Sequence, residues 1–243
     1  MEKIRVANIA ILGMTICCMI FCFNVANASD PSLLQDFCVS ATDHHSAVFV
    51  NGKFCKNPND VKVTDFLFKG FNKPGNTNNL QEASATIVDV NLFPALNTLG
   101  VTIARVDFGP YGLNTPHLHH RGSETFAVME GTLYAGFVTS DNKLFDTVIT
   151  KGDVIAFPQG LIHFQMNMDN THAYAIAAFG SQNPGRINVP NSLFGTTPRI
   201  LDDVLTKGFQ VSVMDIERLR AQYNNTSIDT GRSILKLLSE RSY

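Results

Sequence analysis

From Asn79 onward, apolar and polar positions alternate in short runs separated by turn residues. This period-two pattern predicts strands at 85–90, 101–108, 125–138, 145–150, 154–157, 163–168 and 172–179. Short strands at this spacing indicate an all-β sandwich or barrel. Along 101–108, Ala104, Val106 and Phe108 share one face and Arg105 and Asp107 the other, so the apolar set should point into the core. The run from Ala173 to Phe179 is apolar on both faces, as expected if a further layer or a second subunit covers its outer side. Beyond it the period changes. Ile200, Val204 and Leu205, then Val213, Ile216 and Leu219, have helical spacing and predict helices over 199–208 and 213–223, with Gly208 as a stop and a third short helix at 233–241.

The start of the chain is an address. Lys3 and Arg5 precede an apolar run over 6–23, and Ala26-Asn27-Ala28 supplies a small-residue cleavage site before Ser29. The run is about long enough to span a bilayer, but the cleavage site favours a mature chain of 29–243 and an extracellular destination. Cys17, Cys18 and Cys22 fall in the removed part, leaving Cys38 and Cys55, and an even pair in a secreted chain suggests a disulfide. Between them Asn51-Gly52 follows Val48-Phe49-Val50, a tight hairpin signal. The organisation expected is a signal peptide at 1–28, a stapled extension at 29–80, a β-barrel at 81–195 and a helical tail at 196–243. In the extension, Phe66, Phe68 and Phe71 lead into a Pro/Gly/Asn-rich surface connection, and His44 and His45 read as a solvated loop. Asn224 and Asn225 each open an N-glycosylation acceptor in the tail.

Composition narrows the partners. The chain has 243 residues, 44% of them hydrophobic and 16% charged, enough to bury a sizeable core. A net charge of −2 carries no basic footprint for nucleic acid, and no segment after the leader could span a membrane as a helix.

The chemistry concentrates in GLNTPHLHHRGSETFAVMEG, from Gly112 to Gly131. On an extended backbone His117 and His119 project from one face. Glu124 has the opposite parity and joins them only if the chain turns at Arg121-Gly122-Ser123. His163, in GDVIAFPQGLIHFQMN, supplies a third imidazole. Three imidazoles and one carboxylate suit a divalent first-row metal and leave positions open on a six-coordinate ion. Zinc accepts the same residues, with less room for substrate. Asn114 and Thr115 are short polar groups within reach of such a pocket, or serve only to shape the turn before Pro116.

These two segments resemble the paired motifs of the cupin superfamily, and the chain as a whole resembles the plant germin-like proteins. The first motif matches at His117, His119, Glu124 and Gly131, the second at Gly152, Pro158, Gly160, His163 and Asn167. Departures are Tyr111 in place of a leading Gly, and HHRG where germins commonly read HPRA. The LLQDFCV and NGKFCK segments and the tail also match, so the resemblance covers essentially the whole mature chain. It implies a jelly-roll barrel holding manganese through His117, His119, Glu124 and His163, with tail helices interlocking subunits into a homohexamer. It further implies a small-molecule substrate and a cell-wall or apoplastic location.

Three functions fit such a protein: superoxide dismutation, metal-assisted hydrolysis of nucleotide sugars, and a non-enzymatic wall or receptor role. No basic or Gly-rich phosphate cradle supports the second. The first is the leading expectation, and one position bears on its relation to oxalate oxidation. In oxalate-oxidising germins an Asn precedes the Arg of the strand reading IARVDF here, and acts with the Asn matching Asn114. This chain has Ala104 there, which implies little oxalate oxidase activity.

Overall fold

A computed structural model describes residues 36–41, 49–50 and 53–223. The leader, His44 and His45, the glycosylation candidates Asn224 and Asn225, and the helix expected at 233–241 lie outside the described residues. The described residues from Phe37 onward form one compact unit.

A small sheet comes first: β1 (Ser40–Ala41), β2 (Phe49–Val50) and β3 (Lys53–Cys55), in the order β1-β3-β2. Val50 pairs with Lys53, the register that the Asn-Gly hairpin signal requires. Cys38 and Cys55 form a disulfide with Cα atoms 5.0 Å apart.

The alternating region becomes two five-stranded antiparallel sheets. One has the order β10-β7-β12-β5-β4 and the other β13-β6-β11-β8-β9. Their strands are β4 (Ala83–Val88), β5 (Thr102–Phe108), β6 (Leu113–His119), β7 (Glu124–Glu130), β8 (Thr132–Val138), β9 (Leu144–Thr150), β10 (Val154–Phe157), β11 (Ile162–Asn167), β12 (Ala173–Phe179) and β13 (Arg186–Asn188). All links in the chain from β5 to β13 except β8–β9 pass from one sheet to the other, the winding of a jelly roll. The inward residues of both sheets, among them Ala104, Val106, Phe108, Phe126, Leu133, Ala135, Phe157, Ala175 and Ala177, make one core. Ala104 is on the interior face, 1% exposed, as its parity requires.

Two expectations need correction. The run 125–138 is two strands, because Gly131, at φ +91°, turns the chain into the opposite sheet. A Cβ there would come 2.4 Å from that of Ala173, so only glycine fits. The hydrophobic alternation hides this break because both strands face the same core. In the single chain the outer side of β12 is partly open: Ala178 is exposed, and Tyr174 is only partly shielded, with the Arg105 guanidinium 4.1 Å from its ring centre. Finally, Gly208 does not stop its helix.

The tail carries α1 (Val189–Phe194), α2 (Asp202–Phe209) and α3 (Val213–Tyr223). Helix α2 ends when Gln210 takes the left-handed conformation at φ +55° and its N–H bonds to Thr206 O, a capping role that glycine more often fills. Helix α1 and β13 escape periodicity because they are only six and three residues long. The Asn188 side chain caps α1 by accepting from Asn191 N–H. Phe194, Leu205 and Ile216 form a second apolar cluster, with Leu193, Ile200, Leu219 and Tyr223 packed against it. Next to it Arg220, 1% exposed, bonds to Asp202, to Glu217 at 3.0 Å and to Ile200 O at 2.6 Å. Among the described residues no helix is long and apolar enough to cross a membrane.

Candidate metal centre

The two sheets meet at a buried cluster. β6 contributes His117 and His119, and β11 contributes His163, which pairs directly with His117 in the ladder. Glu124 comes from the other sheet as the first residue of β7, flanked in the ladder by Phe157 and Phe179. The chain reverses over residues 120–123, and this reversal brings Glu124 to the histidines despite its opposite parity. All four side chains are 3% exposed or less. One ligand atom from each lies within 4.8 Å of the others.

Hydrogen bonds orient the donors. His117 Nδ1 lies 2.8 Å from Thr115 O, and His163 Nδ1 lies 2.8 Å from Leu161 O. A carbonyl only accepts, so both Nδ1 atoms carry the proton and both Nε2 lone pairs are free to bind an ion. His163 is also clamped by Phe157, stacked at 4.6 Å, and His119 packs on Phe179 at 4.7 Å. His119 Nδ1 is buried with no partner.

The donor set fits a cation for an electrostatic reason. Glu124 Oε2 sits 3.1 Å from His163 Nε2 and 3.3 Å from His119 Nε2. With the His163 proton on Nδ1, a lone pair and a carboxylate oxygen face each other in a buried site. That arrangement is repulsive unless a positive charge lies between them. Burial lowers the His117 pKa well below the usual histidine value, with the neighbouring His163 and Arg186 charges adding to the effect. Burial pushes Glu124 upward, but the hydrogen bond from His119, whose Nδ1 has no partner and whose Nε2 can therefore carry the proton, holds the carboxyl below its ordinary value. At neutral pH His117 is therefore uncharged and Glu124 ionised, the forms in which each binds metal.

The cupin family profile matches residues 69–217. Putative germin-like protein 2-1 of Oryza sativa subsp. japonica is 52% identical over 200 residues, covering 82% of this chain and 92% of that one. This chain belongs to the germin-like proteins of the cupin superfamily. Germin-like protein subfamily 1 member 13 of Arabidopsis thaliana is 46% identical over 224 residues, covering 91% of this germin-like chain and all of the relative. Among solved structures, an oxalate oxidase in complex with the substrate analogue glycolate superposes with a TM-score of 0.77 at 41% identity, over 82% of this chain and all of that one.

The other candidate residues are placed differently from one another. Ala104 lies in the apolar core, paired with Ala177 and Ile87. Asn114 faces inward because the β6–β11 ladder slips: His163 pairs with His117 but Gln165 pairs with Asn114, which leaves β6 one residue longer. Both ends of its amide are engaged. Nδ2 donates to Gln165 Oε1 at 2.7 Å, and Oδ1 accepts from Arg186 Nη2 at 2.7 Å. Thr115 is also buried, and its Oγ1 accepts from Asn188 Nδ2 at 2.6 Å.

Two residues beside the cluster were not singled out from sequence, Gln165 and Arg186. Gln165 is fully buried on the same strand face as His163, two residues on, and that parity is a signal that could have found it. Arg186 lies on β13, opposite His119, and no periodic pattern marks so short a strand.

Proposed function

We propose that this protein is a secreted manganese-binding homo-oligomer, a hexamer by its resemblance to germins, that dismutes superoxide and has little or no oxalate oxidase activity. The observation that carries this reading is the buried cluster of His117, His119, Glu124 and His163. Manganese held by four protein atoms would supply a one-electron redox couple with coordination positions open to a small anion. The protein holds the two carbonyl-anchored imidazoles in the metal-binding tautomer, keeps Glu124 ionised, and excludes bulk water with Phe157 and Phe179. Two superoxide ions and two protons give dioxygen and hydrogen peroxide, so the site needs no clamp for a larger substrate.

Oxalate does need a clamp, and here one of the two relevant positions has no donor at all while the other has one N–H and its carbonyl oxygen committed within the protein. Ala104 offers a methyl group, and the Asn114 amide is engaged by Gln165 and Arg186. Losing one donor to a carboxylate costs about 1.5–3 kcal/mol, or roughly ten- to hundredfold in affinity. The test is to purify the protein from the secretion medium, determine its metal by elemental analysis, size it by light scattering, and assay superoxide and oxalate side by side. The expected result is a manganese oligomer active on superoxide alone. A metal-free native protein, or robust oxalate-dependent peroxide production, would overturn the reading.

A further inference from the structure

Beside the metal cluster, between edge strand β4 of one sheet and β6 and β13 of the other, lies a cavity of about 470 Å³. Its wall includes Arg186 and Asn114 at the cluster side and Gln81, Asn191, Gln222 and Tyr223 farther out. Such a volume is within the range of small-molecule sites. Polar side chains share the lining with Leu80 and Leu113, and among the described residues its one cation is Arg186.

The guanidinium is the anomaly. Its bond to Asn114 Oδ1 uses Nη2, and its Nε is buried with no partner. Among the described residues no carboxylate lies within ion-pair distance of it. Glu124 is near enough for its charge to be felt, but that charge is already committed to His119 and His163. A partly buried cation without a counter-ion is unfavourable unless something else supplies the negative charge. An ion-loaded cluster next door makes the local excess of positive charge larger.

The rest of the wall says what the anion is attached to. Amides and a phenol both donate and accept, as alcohol groups require, and among the described residues the side chains of Gln81, Asn191 and Gln222 have no hydrogen-bond partner. One guanidinium, with no lysine or second arginine on the wall among the described residues, matches the single charge of a carboxylate better than the nearly double charge of a phosphate. We propose that Arg186 anchors the carboxylate of a polyhydroxylated organic acid, of the sugar-acid class, whose hydroxyls are read by Gln81, Asn191, Gln222 and Tyr223. This site is separate from the metal ligands and does not depend on which metal they hold or on any turnover.

The test is calorimetric titration of the intact, metal-loaded protein with galacturonate, galactose, galactose 1-phosphate and acetate. Galacturonate should bind at least tenfold more tightly than galactose and than the phosphate. Arg186→Met keeps the stem and removes the charge. It should weaken galacturonate at least tenfold and leave the thermal midpoint unchanged or raised, because an unpaired charge has been removed. Gln222→Ala, an exposed change at the rim, should weaken galacturonate severalfold while leaving acetate unaffected, and it reads the site even if the arginine variant does not fold. Undiminished galacturonate binding in Arg186→Met would assign the carboxylate to the metal and overturn the proposal. Equal binding of galactose, tighter binding of the phosphate, or no binding of galacturonate to the unmodified protein would overturn it as well.

Discussion

Replacing Glu124 by Gln isolates what the carboxylate does, because the two side chains have nearly the same shape. Glu124 is 3% exposed, and its Oε2 lies 3.1 and 3.3 Å from two imidazole nitrogens. In the metal-loaded protein the change removes the only negative ligand of the four. Metal that binds only the folded state at a hundredfold excess over Kd stabilises it by about 2.7 kcal/mol. For a chain of this size each kcal/mol moves the melting midpoint by roughly 2–4 °C, so the metal-dependent gain is about 5–11 °C. The Gln variant should lose most of that gain. In metal-free protein the effect should reverse, because the amide N–H can donate to the His163 lone pair that the carboxylate oxygen only repels. A hydrogen bond of this kind contributes about 1 kcal/mol, so the metal-free variant should melt roughly 2–4 °C higher than metal-free parent. Scanning calorimetry of both proteins, with and without manganese and with metal content measured, gives all four midpoints. Full metal occupancy and an unchanged metal-dependent shift in Glu124→Gln would refute the reasoning.

The remaining expectations are narrower. Metal-free protein should lose stability on acidification from about pH 6.5, because the lowered His117 pKa leaves the unfolded chain binding the extra proton. The depressed Glu124 carboxyl adds a second loss below the ordinary carboxyl range, near 4.5, so both contributions are present at high pH and vanish as pH falls. Melting curves across pH 4–8 check the sign, and His117→Gln should flatten the upper part. Reducing the Cys38–Cys55 bridge, which spans a sequence separation of 17, should cost about 3 kcal/mol by denaturant titration. Arg220→Ala strips the partner from half-buried Asp202 and should cost about 3 kcal/mol, the low end for a broken buried pair because both acidic partners reach solvent. Ala104→Asn places an amide among Ile87, Ala177 and Phe108, and should cost about 1–3 kcal/mol without raising oxalate turnover, because Asn114 stays engaged. A gain in oxalate-dependent peroxide production would show that the pocket around Ala104 is otherwise complete.

What the sequence determined by itself is whatever depends on neighbours close along the chain. Side-chain parity put His117 and His119 on one face and Ala104 inside, and turn residues between Arg121 and Ser123 allowed Glu124 to follow. The helix over 213–223 was legible from its apolar spacing, and the hairpin from Asn-Gly. Tertiary structure decided what depends on register between distant strands. Whether His163 meets His117, and whether a slip in the same ladder turns Asn114 inward against Gln165 and Arg186, is set by which residues pair across the sheet. The break at Gly131 was masked for a related reason: β7 and β8 lie in different sheets yet face one core, so their alternation runs on while the backbone turns. Arg186 was invisible because three residues have no period, and its meaning lies in the counter-ion that is missing among the described residues around it. Local pattern encodes which way a side chain points, but only the packed sheets decide what it points at, because that depends on long-range pairing.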